Sequence, residues 1–205
     1  MKERIKKISM KINMKYLFVI IPLILIVLLI VLSSFYAEKS NDSNQKKIKP
    51  KKVVEKTTVY TTKDAKVDFT FKDGYKVVDK GEYDLYAKND KKQIILAVFT
   101  YNLENYEEKT GKEILDAQVG YFLKTRNNMK VFKNEISKTY ADKTITRIEY
   151  SGKSNDSSEC VYVFSAIEFN NVPNYVVYVS QVLLKSDYEK YIKEINDTLI
   201  SAKIK

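Results

Sequence analysis

The longest apolar run in the chain is Tyr16 to Tyr36, YLFVIIPLILIVLLIVLSSFY, and no charged residue lies between Lys15 and Glu38. As a helix rising about 1.5 Å per residue it is roughly 33 Å long, which matches a hydrocarbon core of about 30 Å. From Leu17 to Leu32 only Pro22 is not Leu, Ile, Val or Phe. Pro22 falls within two turns of the start, where a lost hydrogen bond is re-satisfied near the headgroups. The run therefore predicts one membrane-spanning helix over residues 16–37, in contact with lipid through Tyr16–Tyr36. A cleavable signal peptide is the rival reading. The run exceeds the usual h-region, and cleavage after Ala37 would place Phe35 where a small residue is wanted.

Beyond the run the pattern changes. Residues 38–57, EKSNDSNQKKIKPKKVVEKT, are polar and Lys-rich and read as a tether. Lys66 to Phe71 alternates, with Val67, Phe69 and Phe71 on one side, as a half-buried strand does. Asp73-Gly74 is a turn signal, and short strands are expected at Tyr75–Val78 and Tyr83–Ala87. Gln93 to Tyr101 is apolar on both faces, as an interior strand would be. Thr110-Gly111-Lys112-Glu113 fits a capping box. Ile114, Leu115, Ala117, Val119, Tyr121 and Phe122 follow at helical spacing.

Strands resume at Met129–Ser137 and Lys143–Tyr150. In the second, Ile145, Arg147 and Glu149 face opposite Thr144, Thr146, Ile148 and Tyr150. Glu159–Phe169 and Tyr175–Leu184 are apolar on both faces around a loop at Asn170–Asn174, a central hairpin. Ser186-Asp187-Tyr188-Glu189 reads as a second capping box. The helix behind it is expected to bury Tyr188, Tyr191, Ile192, Ile195, Leu199 and Ile200, with Lys203 and Lys205 complementing its dipole.

Successive strands with short turns pair antiparallel, and strands apolar on both faces need cover on both. The expected fold is α+β: an antiparallel β-sheet with helices on both faces, an α/β/α sandwich, preceded by one transmembrane helix. The expected organisation is a cytoplasmic basic segment (1–15), the membrane helix (16–37), the tether (38–57) and one extracytoplasmic domain (58–205). Lys2, Arg4, Lys6, Lys7, Lys11 and Lys15 before the helix set the N-terminus in the cytoplasm.

Charge and composition narrow the chemistry. The formal net charge is +10, but residues 1–52 hold twelve Lys/Arg against three Asp/Glu, and the remainder is close to neutral. The folded part has no electrostatic footprint for nucleic acid. The chain has no His and one Cys, Cys160, set in an apolar run. That removes Ser-His-Asp and Cys-His catalysis, His- or Cys-type metal sites, and an intramolecular disulfide. No GxGxxG or P-loop pattern is present. Catalytic, cofactor and metal residues are therefore expected to be none.

Three carboxylates, Glu104, Glu107 and Glu108 in NLENYEEKTG, are the best enzymatic alternative, as a cell-envelope hydrolase. A solvated acidic loop before a helix start explains them more simply. The loop lacks the spacing of a calcium site. Of the sixteen tyrosines, Tyr162, Tyr175, Tyr178, Tyr188 and Tyr191 fall at core-facing positions. Tyr83, Tyr86 and Tyr106 remain as interface candidates, since aromatics are common anchors.

The element order from Val67 to Ile204 resembles the PsbP/Mog1-like fold. The resemblance rests on the FTFKDGY start at Phe69 to Tyr75, the helix after Glu113, the long hairpin Glu159 to Leu184 and the C-terminal helix from Ser186. Lys72-Asp73 departs from the Pro that the family usually carries before its Gly–aromatic pair. The resemblance implies a non-enzymatic binding or scaffolding module, and no family functional residue maps onto this chain. The expectation is a membrane-anchored extracytoplasmic binding or assembly module with a protein or cell-envelope partner.

Overall fold

A computed structural model of the protein describes residues 56–126 and 128–205. The expected basic segment, membrane helix and nearly all of the tether lie outside the described residues. Among the described residues, no helix is long and apolar enough to cross a membrane.

The strands are β1 (Thr57–Thr61), β2 (Val67–Lys72), β3 (Lys76–Val77), β4 (Leu85–Asn89), β5 (Ile94–Asn102), β6 (Lys130–Thr139), β7 (Lys143–Lys153), β8 (Glu159–Phe169), β9 (Val172–Leu184) and β10 (Lys203–Ile204). The helices are α1 (Gly111–Thr125), between β5 and β6, and α2 (Tyr188–Ile200), between β9 and β10. Seven strands form one antiparallel sheet in the order β3-β4-β5-β9-β8-β7-β6. The central hairpin β8–β9 is where the two continuous apolar runs sit. Both faces of these strands must be buried, which only interior positions allow.

Alternation along β8 divides the core in two. Tyr162, Phe164 and Ala166 meet Ile114, Leu115 and Val119 of α1 on one face. Val161, Val163 and Ile167 meet Tyr188, Ile195 and Leu199 of α2 on the other. Cover on the α2 face is not helical alone. β2 supplies Val67, Phe69 and Phe71, all fully buried, to the same core. β2 belongs to a separate three-stranded sheet, β1-β2-β10. The fold is α+β and mainly antiparallel, with a second small sheet that the sequence reading did not contain.

Local signals explain most boundaries. Thr110 accepts a hydrogen bond from the Glu113 N–H at 3.2 Å, and the Glu113 carboxylate accepts from Thr110 N–H at 3.0 Å, so the first capping box is present. Gly74 takes φ +96°, a left-handed turn that favours glycine, in the Asp73-Gly74 turn.

The second capping box is absent. A 3-10 turn at Lys185–Asp187 precedes α2, whose N-cap is Asp187 with no side-chain capping bond. Its φ −100° and ψ 1° are not the extended conformation that aims a capping oxygen at the helix amides.

The expected dipole partners also move. Lys203 opens β10, and Lys205 pairs with Asp68 at 3.2 Å. A cation comes instead from β7. Lys143 is buried, donating to the Ala202 carbonyl just past α2 at 2.7 Å and to Asp142 at 2.9 Å.

On α1, Tyr121 and Ala117 lie on the flank of the buried arc and are exposed, whereas Ile114, Leu115 and Val119 are buried. On α2, Ile200 is exposed, and Tyr191 and Ile192 are half-buried.

Candidate functional site

Two surface features stand out, one on each face of the seven-stranded sheet. On the α1 face, the helix packs over β8 and β9, with a smaller contact on β7. Towards β4 and β5 the same face carries Tyr86, Phe99 and Tyr101, half-buried, and Ile95, exposed.

The local structure sets these rings in a row. The turn after Lys80 closes through the Tyr83 N–H donating to the Lys80 carbonyl at 2.9 Å. Asp84 then accepts from both the N–H and the hydroxyl of Thr100, at 2.7 and 3.0 Å, which staples the entry of β4 to β5. Tyr83 consequently lies against Tyr86, with ring centroids 5.2 Å apart, and against Phe99 at 5.0 Å. Lys80 folds its ammonium over the Tyr86 ring at 4.2 Å. Two positions further along β5, Tyr101 packs edge-on against Tyr106 at 5.2 Å. Burial, with the nearby Tyr106, Asp84 and Glu108, pushes the Tyr101 hydroxyl up to about 12.

The row ends in an open groove of about 600 Å³. Its lining includes Tyr86, Lys88, Ile95, Cys160, Val182 and Leu184. Cys160 is buried and its thiol is pushed up by burial, as an inert packing thiol should be. Lys88 is neutralised by Asp90 at 3.0 Å. The wall is mixed: these apolar side chains share it with Lys80, Asn89, Gln93, Ser154, Asp156 and Ser158, and its two lysines are matched in number by two aspartates, a surface suited to complementary contact more than to chemistry.

Of the sequence candidates, Tyr83 and Tyr86 are in contact with each other, whereas Tyr106 packs on Tyr101, which lies two positions along β5 from Phe99 on the same face. Tyr162, Tyr175, Tyr178 and Tyr188 are buried as expected, and Tyr191 is half-buried.

The acidic loop is organised by structural bonds. Glu104 accepts from the Asn174 side chain at 3.1 Å, and Lys109 donates to the Tyr106 carbonyl at 2.7 Å. Glu104, Glu107 and Glu108 line neither groove described here. No group of three or more acidic or thiol side chains that could hold a metal ion occurs among the described residues.

The sequence reading missed the second feature, on the α2 face. A smaller groove of about 250 Å³ lies between β6–β7 and α2, lined by Ile136, Lys138, Tyr140, Ile145, Arg147, Asn196, Leu199 and Ile200. At its floor Arg147 donates to Glu149 and to Asn196. Tyr188 donates to the same Glu149 oxygen at 3.0 Å. Burial and the Glu149 hydrogen bond push the Tyr188 hydroxyl upward. Glu149 is 1% exposed, so this is a buried ion pair. The alternation of β7 carried a signal: Arg147 and Glu149 share a face with Ile145. Charged residues on the buried side of a strand need a partner.

No family model matches the chain, and no curated protein matches it. Solved structures do. PsbP (CyanoP) from Synechocystis sp. PCC 6803 aligns with a TM-score of 0.56 at 10% identity, covering 74% of this chain and 94% of that one. LpqN of Mycobacterium tuberculosis aligns at 0.51 and 10%, covering 73% and 90%. The Saccharomyces cerevisiae Ran-binding protein Mog1p aligns at 0.52 and 6%, covering 73% and 96%. At these identities the likeness concerns architecture alone: the described domain has a PsbP/Mog1-like fold.

Proposed function

We propose that this protein is a membrane-anchored extracytoplasmic binding or assembly module that catalyses nothing, and that it engages a protein partner through the aromatic row on the α1 face. The observation that carries the reading is the cluster of Tyr83, Tyr86 and Phe99, with Tyr86 lining an open groove, and the Tyr101–Tyr106 pair further along the same face. Rigid aromatic anchors beside a shaped apolar surface are the usual make-up of a protein-binding patch. Tyr106 is 44% exposed and Ile95 37%, so both are free to be covered by a partner.

Neighbours in fold support a binding role without transferring a partner. Mog1p is named for binding Ran, and LpqN is described as involved in cell envelope biogenesis. The apolar run Tyr16–Tyr36 and the polar stretch after it would hold the domain beside the membrane, and such confinement raises the effective concentration for a weak partner.

The test is in-cell crosslinking and pull-down with the full chain, comparing wild type with a Tyr106→Ala/Ile95→Ser variant. Both changes are at exposed positions and leave the core intact. Loss of a crosslinked protein in the variant is expected. A partner retained equally by both chains rules out this patch, and turnover of a cell-envelope substrate by the purified protein rules out the non-catalytic reading.

A further inference from the structure

The α2 face of the β6 margin combines three properties that point to a partner. The first is a row of lysines along β6. The register sets Lys130 opposite Ser151, Lys133 opposite Glu149, Ile136 opposite Arg147 and Lys138 opposite Ile145. Arg147, Glu149 and Ile145 face the α2 side, so these four β6 side chains share that side. Lys133 lies over the Tyr188 ring at 4.6 Å and Lys138 over the Tyr140 ring at 5.2 Å. No carboxylate lines the adjoining groove.

The second property is exposed apolar surface. Ile136 is 58% exposed and Ile200 38%, and both line the 250 Å³ groove between β6–β7 and α2. The third is a floor fixed by a buried ion pair. Arg147 is held by Glu149 and Asn196, and its Nε is buried with no partner among the described residues.

We propose that this margin is a docking surface for an acidic segment of another protein. The segment seats one apolar side chain between Ile136 and Ile200 and lays its carboxylates against Lys133 and Lys138. Docking is through side chains, not by strand addition. β6 is an edge strand, but its register shifts twice, between Val131 and Lys133 and between Lys133 and Ile136. Bulges and lysines are what keep an edge from pairing. A second copy is disfavoured as the occupant, because it would bring lysine against lysine.

The experiment uses the full chain in a neutral detergent and a fluorescent decapeptide alternating Glu and Leu, followed by anisotropy. Binding is expected to weaken at least tenfold in a Lys133→Glu/Lys138→Glu variant, and its salt dependence should flatten. Ile136→Ser is expected to weaken binding several-fold while keeping the salt dependence. Tyr106→Ala/Ile95→Ser should change neither, which separates this surface from the α1-face patch.

Four results would overturn the proposal. One is no anisotropy rise with the Glu–Leu peptide. Another is equal binding of a Lys–Leu peptide. A third is equal binding by the charge-reversed chain. The last is self-association abolished by the charge reversal, which would assign the margin to a second copy.

Discussion

Glu168 on β8 accepts a hydrogen bond from the Gly111 backbone N–H at 2.9 Å, so a strand carboxylate satisfies a first-turn donor of α1 from 57 residues away. A Cβ at Gly111 would stand 2.6 Å from the Glu168 Cγ. Gly111→Ala is therefore expected to destabilise by about 1–3 kcal/mol, although alanine is the better helix former by about 1 kcal/mol. In a Glu168→Ala background the same change should be neutral or stabilising. Denaturant unfolding of the four chains checks this, and equal costs in both backgrounds would remove the clash as the cause.

Alkali should unfold the domain cooperatively. Burial, with Tyr106, Asp84 and Glu108 nearby, raises Tyr101 from 10.0 to about 12. Tyr75, Tyr175, Tyr178 and Tyr188 are raised further, each first by burial. A raised folded value means that the neutral form is favoured in the fold. This contribution is complete below 10 and is lost as pH climbs through the folded values, because the unfolded chain ionises first. Tyrosinate absorbance and circular dichroism should therefore change together above 10. Full ionisation near 10 with unchanged dichroism would contradict the burial.

The ion pair beneath the small groove should respond asymmetrically. Glu149→Ala leaves the Arg147 guanidinium uncompensated and should cost about 3–5 kcal/mol. Tyr188→Phe removes one hydrogen bond from a carboxylate that keeps its arginine and should cost about 1–2 kcal/mol. An Arg147→Met/Glu149→Leu double change should recover most of the first loss, since an apolar pair of similar size carries no desolvation penalty. Thermal melts of the three variants give the comparison. A double variant as unstable as Glu149→Ala would place the loss in packing and not in charge.

Placement follows from the proposed function. Protease added to intact protoplasts should remove residues 38–205 and spare a short fragment containing Tyr16–Tyr36. Protection until lysis would reverse the orientation.

Sequence pattern carried furthest where local rules and tertiary demands coincide. β8 falls at Glu159–Phe169, as read from its unbroken apolar run, and Thr110 and Glu113 form the capping box that their spacing announces. The reading failed where long-range pairing decides. Lys203–Ile204 is a strand only because Asp68 and Val67 lie opposite it. Only Thr57 of Thr57–Thr61 falls in the expected tether, yet the sequence announces no strand there, because its short, mostly polar run becomes a strand only by pairing with Lys72–Asp68. Tyr83 and Tyr106 were visible as candidates, but their packing on Phe99 and on Tyr101 depends on how the segments flanking β4 and β5 fold back onto β5. The small groove needed a fold in which α2 crosses above Arg147, which no local period encodes.

The order β1-β2-β10 also sets how the domain bears mechanical load. β1 carries any pull from the chain before Thr57, yet it pairs with β2 alone and is almost wholly exposed. β2 anchors Val67, Phe69 and Phe71 in the core and is flanked on its other side by β10. Tension from that end would therefore unzip β1 one residue pair at a time, starting at Thr57 and Lys72, and pay out slack before any force reached the seven-stranded sheet. Under such a load β1 would give way first, with Tyr60 leaving its contact on Phe71, and β2 would be the point at which the load stops.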